Sequence, residues 1–153
     1  GTTSDRGFRT APSAGALYPL EVYLIVGDVE DLSPGIYIYK PKKHQLVMTA
    51  DQDVRQRLAG AALGQSSVKN GAIDLVFTAV YQRTTRKYGN RGIQYVHMEI
   101  GHAAQNVCLQ ATTMNLGVVT IGAFNDQKVS RILGLPKNEV PLYIIPVGKI
   151  ASN

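Results

Sequence analysis

Lys87 and Tyr88 stand side by side in a basic run, residues 83–91 (RTTRKYGNR), a cluster of cations of the kind that suits a phosphate-bearing partner. Cationic neighbours such as Arg86 and Arg91 would lower the pKa of Lys87. The plain alternative is a surface lysine followed by a packing tyrosine. A second candidate is the stretch PSAGALYP at residues 12–19, in which Pro12 and Pro19 bracket Ser13, Ala14, Gly15 and Ala16. Such small residues let a planar ligand reach main-chain N–H and C=O groups; the plain alternative is a turn before a strand. Thr120, Ile121, Gly122 and Ala123 offer another stretch of exposed backbone at a strand end. A redox ring system needs donors of this kind at its polar edge and reactive nitrogen, because charge develops there on reduction.

Other chemistries fit less well. HMEIGH (residues 97–102) places His97 and His102 five apart, on different faces of a helix, whereas the metalloprotease arrangement needs four. The expectation is therefore no metal, with these histidines and Glu99 as hydrogen-bonded members of a helix interface. Ser13 has no Gly-x-Ser-x-Gly elbow around it. Cys108 falls mid-helix between apolar neighbours, where a buried, inert thiol is expected. A P-loop and a dinucleotide fingerprint are both absent; GAALGQS at residues 60–66 lacks the glycine spacing.

These residues need elements to hold them. Leu20–Val26 (LEVYLIV) reads as a buried strand. Residues 36–39 and 45–48 form a hairpin across a Lys-Pro-Lys-Lys-His turn. Asp51 or Asp53 would cap a short helix running through Leu58, with Gly60 near its end. Residues 73–81 read as another buried strand. From Tyr95 to Met114, Val96, Ile100, Ala103, Val107, Ala111 and Met114 recur at spacings of four and three, the mark of a helix. Its second face carries Tyr95, Glu99, His102 and Asn106, and Gly101, Ala103 and Ala104 keep it thin enough for another backbone to approach. Residues 116–124 follow as strand and loop, Asp126 caps a helix ending near Gly134, and residues 140–148 form the last strand. Without a strict βαβ rhythm, this favours an α+β domain: a mixed or antiparallel sheet covered by helices.

At 153 residues the chain is expected to be a single domain, residues 1–153. No apolar run is long enough to cross a bilayer, no signal-peptide pattern is present, and one cysteine suits a reducing cytoplasm. The formal charge of +5 raises the question of a phosphate-bearing partner. The basic run lacks interleaved aromatic residues for stacking bases, so nucleic acid is not expected.

Taken in order, RTAPSAGALYPLEVYL, PGIYIYKPKKHQL, RKYGNRGIQYVHMEIGHAAQNVCLQA and LGVVTIGAF…VPLYIIPVGK resemble the FMN-dependent nitroreductase superfamily. The branch resembled is the SagB-type dehydrogenases, which include azoline oxidases. The resemblance implies a homodimer with FMN in clefts at the interface and the long helix as a core interface element. It implies that Pro12, Ser13, Ala14, Gly15 and Ala16 lie against the isoalloxazine ring, often from the partner subunit. Thr120, Ile121, Gly122 and Ala123 would cover its other face and turn a backbone N–H towards N5. Lys149 matches a position that helps hold the phosphate. Lys87-Tyr88 is similar to the pair with which azoline dehydrogenases remove a proton as hydride leaves for FMN.

Family members usually carry an N-terminal helix with an Arg-Arg-Ser-x-Arg-like stretch that grips the FMN phosphate, and nothing of that kind precedes Arg9. The expectation is either a fragment or a short member that binds flavin loosely or not at all. Three functions follow. The first is an FMN-dependent oxidoreductase using NADH or NADPH and an acceptor such as a nitroaromatic, a quinone or oxygen. The second is a peptide azoline dehydrogenase, and the third a flavin-free dimeric binding module.

Overall fold

Alternation of side chains sets the sheet. In β1 (Leu20–Val26), Leu20 and Val22 turn to one face while Tyr23 and Ile25 turn to the other, as the two-residue period of a strand requires. The structure, a computed structural model, describes residues 7–150. β1 pairs with β2 (Gly35–Lys40) and β4 (Ile73–Ala79); β3 (Gln45–Ala50), β5 (Leu116–Val118) and β6 (Val140–Lys149) complete one six-stranded sheet. Its order is β3-β2-β1-β4-β6-β5 and every pairing is antiparallel. The α+β expectation holds.

Helices cover both faces. On one side α1 (Arg55–Ala61), α2 (Ser66–Asn70) and α5 (Asp126–Leu133) pack Leu58, Val68 and Val129 onto Ile25, Val76 and Ile144. All six are fully buried, and each such side chain contributes on the order of 2 kcal/mol by leaving water. On the other side α4 (Arg91–Thr113) lays Val96, Ile100 and Ala104 across Phe77, Ile145 and Val147. α4 leaves part of this face open. Beside it lies a cleft of about 880 Å³, lined by Val22, Leu24 and Leu75 of the sheet and by Ala103, Val107 and Asn106 of α4.

Several boundaries differ from the sequence reading, each for a local reason. The long helix begins at Arg91, one turn before Tyr95, because Gly89 (φ +55°) ends a preceding helix and the chain restarts at Asn90. That preceding helix, α3 (Gln82–Tyr88), takes up most of the basic run. It crosses α4 where a side chain on Gly92 would lie 2.9 Å from the Thr85 Cα, so only glycine fits. α1 runs on to Ala61 from an N-cap at Val54, and Asp53 instead accepts the Arg55 N–H at 3.0 Å. Asn125, rather than Asp126, caps α5 by accepting the Lys128 N–H at 2.9 Å. Cys108 is half-buried and Met114 is exposed, so the apolar stripe of α4 is not fully covered within one chain.

Candidate active site

The segment from Pro12 to Pro19 folds into a tight 3-10 turn over Ala14–Ala16, in which Ala16 N–H donates to the Ser13 carbonyl at 3.0 Å. Gly15, Ala16 and Tyr18 all have positive φ (60°, 54° and 47°), a left-handed backbone that costs side-chain-bearing residues on the order of 1 kcal/mol each. Outside bonds hold it. The Ser13 hydroxyl accepts the Tyr18 N–H at 2.9 Å, and Arg83 of α3 donates to the Tyr18 carbonyl at 3.2 Å while pairing with Glu21 of β1 at 2.5 Å. The Arg9 guanidinium lies 4.3 Å from the centre of the Tyr18 ring. Glu99 of α4 is buried; burial pushes its carboxyl up, and the nearby Ser13 hydroxyl and the Arg9 charge pull it back.

Two stretches taken separately in the sequence meet here. A methyl built on Gly15 would lie 2.8 Å from Tyr88 Oη and 3.1 Å from Lys87 Nζ. The end of α3 therefore brings an ammonium and a phenol against bare backbone in the turn. Tyr88 is fixed from behind by the Tyr95 ring, edge-on at 5.1 Å between centroids, and Arg91 stacks over Tyr95 at 5.5 Å. Of the basic run, Arg83 is spent on Glu21 and Tyr18 and Arg91 lies on an aromatic face, so the run is not one uniform phosphate-seeking patch.

Thr120, Ile121, Gly122 and Ala123 lie elsewhere. Ile121 exchanges both backbone hydrogen bonds with Ile144 of β6 (2.8 and 3.0 Å), so its N–H is already used. Among the described residues the N–H groups of Thr120, Gly122 and Ala123 have no hydrogen-bond acceptor, and these three exposed residues are the donors the segment can offer. β4 and β6 separate Ile121 from β1, which is about 14 Å across the sheet. Lys149 is exposed at the end of β6, opposite Leu116. The other end of β6, Val140, pairs with Ala79, and Ala79 with Leu20. Lys149 thus lies roughly 30 Å along the sheet from the Pro12–Pro19 turn. One chain assembles the turn with Lys87 and Tyr88, but not with Thr120–Ala123 or Lys149.

Contacts invisible to sequence periodicity complete the picture. The Tyr81 hydroxyl lies 2.6 Å from His97 Nε2, with the rings edge-on, and this pairing uses the histidine considered for a metal. Among the described residues no three His, Cys, Asp or Glu side chains are placed to hold a metal ion, and no helix is long and apolar enough to cross a membrane. Glu99 was legible as part of the helix's second face, but its nearness to Ser13 joins residues 86 apart and leaves no local signal.

Comparison with known proteins gives the arrangement its family. The nitroreductase family model matches residues 5–149. A Methanocaldococcus jannaschii protein named as a nitroreductase, MJ1384, is 50% identical over 149 residues, 97% of this chain and 74% of that one. The NADPH-flavin oxidoreductase of Vibrio harveyi is 32% identical over 116 residues, 71% of this chain and 48% of that one. Among solved structures, one from Anabaena variabilis named for a nitroreductase matches with a TM-score of 0.86 and 32% identity, over 96% of this chain and 30% of that chain. A chain of the Escherichia coli microcin synthetase McbBCD complex with truncated pro-MccB17 bound matches with a TM-score of 0.84 and 25% identity, over 99% of this chain and 60% of that one. The chain thus spans about three-quarters of MJ1384 and 30% to 60% of the other three. With the family model matching nearly all of it, the chain belongs to the nitroreductase family of oxidoreductases.

Proposed function

We propose that the chain works as an FMN-dependent oxidoreductase, as a homodimer, with NADH or NADPH as reductant and a small acceptor such as a nitroaromatic, a quinone or oxygen. The observation that carries this reading is the strip of bare backbone at Gly15, with Tyr88 Oη and Lys87 Nζ on one side and the Tyr18 N–H to Ser13 hydroxyl bond bracing the turn. Ala14 and Ala16 carry only methyls, so a flat ring can approach this backbone from the side away from Lys87 and Tyr88, whose Nζ and Oη already border the space a Cβ on Gly15 would enter. The residues present therefore fit a flavin. The NADPH-flavin oxidoreductase among the relatives supports the same cofactor and reductant.

When bound, FMN supplies the two-electron chemistry, accepting hydride and giving it up. The chain's own residues do the rest. The turn seats the ring, and the free N–H groups of Gly122 and Ala123 suit the charge that develops on its reactive edge. Lys149 offers a cation for the phosphate. Because Thr120–Ala123 and Lys149 lie far from the turn within one chain, a single ring touching all three needs two copies of the chain. The open cleft beside α4 and the exposed Met98, Leu109 and Met114 on that helix suit such an interface.

A second reading, azoline dehydrogenation of a peptide, is favoured by the same approach of Lys87 and Tyr88. Two proton-handling groups at one point of the turn could remove a substrate proton on the face from which hydride departs. The similarity to a chain of the McbBCD complex, which holds a truncated pro-peptide, points to the same substrate class. A flavin-free binding module is the outcome if no cofactor is held. Oxidation of NADH or NADPH, followed at 340 nm with a quinone or a nitroaromatic and with FMN supplied, tests the leading reading. FMN-dependent turnover with at least one pair supports it, and no turnover by flavin-loaded protein with any pair contradicts it.

A further inference from the structure

β3 is one of the two edges of the sheet, and among the described residues its backbone bonds only to β2. An edge strand carries a row of N–H and C=O groups without partners, and proteins usually blunt such edges by keeping them short, charged or interrupted by proline. The opposite edge, β5, has three residues. β3 has six, QLVMTA, with no charge and no proline. Leu46, Val47 and Met48 are each more than a third exposed. Leu46 and Met48 lie on one face of the strand and Val47 on the other, so a strand added here would meet apolar side chains on both faces.

Charge marks which strand would fit. The turn leading into β3 exposes Lys40, Lys42 and Lys43, none of them in an ion pair among the described residues. Lys40 pairs with Gln45 and Ile38 with Tyr23, so these lysines stand at the Leu20 end of the sheet, where the Pro12–Pro19 turn enters β1. A strand added beyond β3 would lie three strand spacings from β1, about 14 Å, a gap that roughly four extended residues can cross. Leu46 also lines the cleft that reaches Arg9 and Ala11 beside that turn.

We propose that the free edge of β3 takes an extended peptide as an added strand, antiparallel like every other pair in the sheet, with acidic residues at its C-terminal end against Lys40, Lys42 and Lys43. The occupant is the peptide substrate of the second reading above, on which this rests. Because β3 starts at the Leu20 end, an antiparallel strand runs towards that end. The docked segment is therefore N-terminal to the reacting residue, which is delivered to the turn. Main-chain hydrogen bonds supply the affinity, as in other cases of strand addition, and the lysines fix the direction.

The probe is a capped, fluorescent Thr-Val-Thr-Val-Thr-Val-Glu-Glu-Glu peptide, titrated into the full chain by anisotropy while amide hydrogen exchange reads where it sits. Binding should saturate below about 1 mM. The outward-facing amides of Gln45–Ala50 should slow at least tenfold, with those of β5 within about twofold of the free chain. Lys42→Glu combined with Lys43→Glu should weaken binding at least tenfold, and a peptide ending in lysines should regain affinity for that variant. Val47→Lys puts a charge on the edge and should also abolish docking, at an unchanged melting temperature. No binding, binding that leaves the β3 amides unchanged, or equal binding of the lysine-ended peptide by the parent overturns the proposal. Protection of β3 that grows with protein concentration in the absence of peptide overturns it too, since a second copy would then be the occupant. Turnover separates this from the substrate reading. An azoline peptide that docks on β3 but is not oxidised by FMN-loaded protein sinks peptide dehydrogenation and supports the docking edge. An azoline peptide oxidised with the same KM whether or not it carries the docking segment overturns the docking edge alone.

Discussion

The backbone of Gly15 passes so close to the phenol of Tyr88 that a methyl added to Gly15 would lie 2.8 Å from the Tyr88 oxygen. The two residues are 73 positions apart, and their approach joins the loop before β1 to the end of α3 in one site. It also accounts for glycine at that position twice over, by space and by a φ of +60°.

Substituting Gly15→Ala is expected to leave the fold intact and weaken flavin retention. The left-handed backbone costs alanine on the order of 1 kcal/mol. Tyr88 and Lys87 can swing away from the new methyl, but that dismantles the site. FMN titration by fluorescence quenching should show a loss of affinity of about tenfold or more, with a melting temperature only a few degrees lower.

Lys87→Ala and Tyr88→Phe separate the two enzymatic readings. A proton-transfer group removed from its reacting site costs roughly a hundredfold or more in rate. Azoline dehydrogenation of a peptide, followed by mass spectrometry, should fall by that much in Lys87→Ala and less in Tyr88→Phe. Reduction of a quinone by NADH or NADPH needs no such base and should stay within a few-fold of the parent. Full-rate azoline oxidation by Lys87→Ala would remove the pair from the mechanism.

Asp74 sits near the start of the central strand β4, fully buried, and among the described residues neither carboxyl oxygen has a hydrogen-bond partner. Burial pushes it up from 3.8 to about 8, against the pull of the Arg55 charge. The folded protein therefore keeps a proton that the unfolded chain releases, and stability falls as pH rises from about 4 towards 8. Asp74→Asn cannot ionise. Urea unfolding at pH 5, 7 and 9 should show a flatter profile for this variant, which exceeds the parent at pH 9 by on the order of 1–3 kcal/mol.

Leu109 and Met98 of α4 are more than half exposed in the isolated chain. Where two copies meet on this helix, Leu109→Glu places a charge in the contact and should shift sedimentation from dimer to monomer. Flavin should be lost in the same step, because the segments that would hold it lie far apart in one chain. A monomeric variant that keeps FMN would mean that one chain holds the cofactor alone.

Much of the fold could be read from the chain, because strands and the long helix write their burial into residue spacing. β1 was bounded correctly from LEVYLIV alone, and Val96, Ile100 and Ala103 show the period of α4 directly. Two of the short helices, α2 and α3, were not legible. α2 has five residues and α3 seven, too few turns for a periodic stripe, and among the residues of α3 only Thr84 is buried. The site divides along the same line. Small residues at 14–16 and the Lys87-Tyr88 pair stood out by composition. Their meeting at Gly15, the Arg83–Glu21 pair and the Tyr81–His97 pair depend on how β1, α3 and α4 pack. No spacing along the chain encodes them.

The measurement that bears most directly on this account is the visible absorbance spectrum of the purified protein, before and after FMN is added and the excess removed by desalting. The account predicts flavin bands that persist through desalting at close to one FMN per chain, and that bleach when NADH or NADPH is added without air. Protein that emerges folded, dimeric and colourless would contradict it, and would leave the turn at Gly15 as part of a binding module.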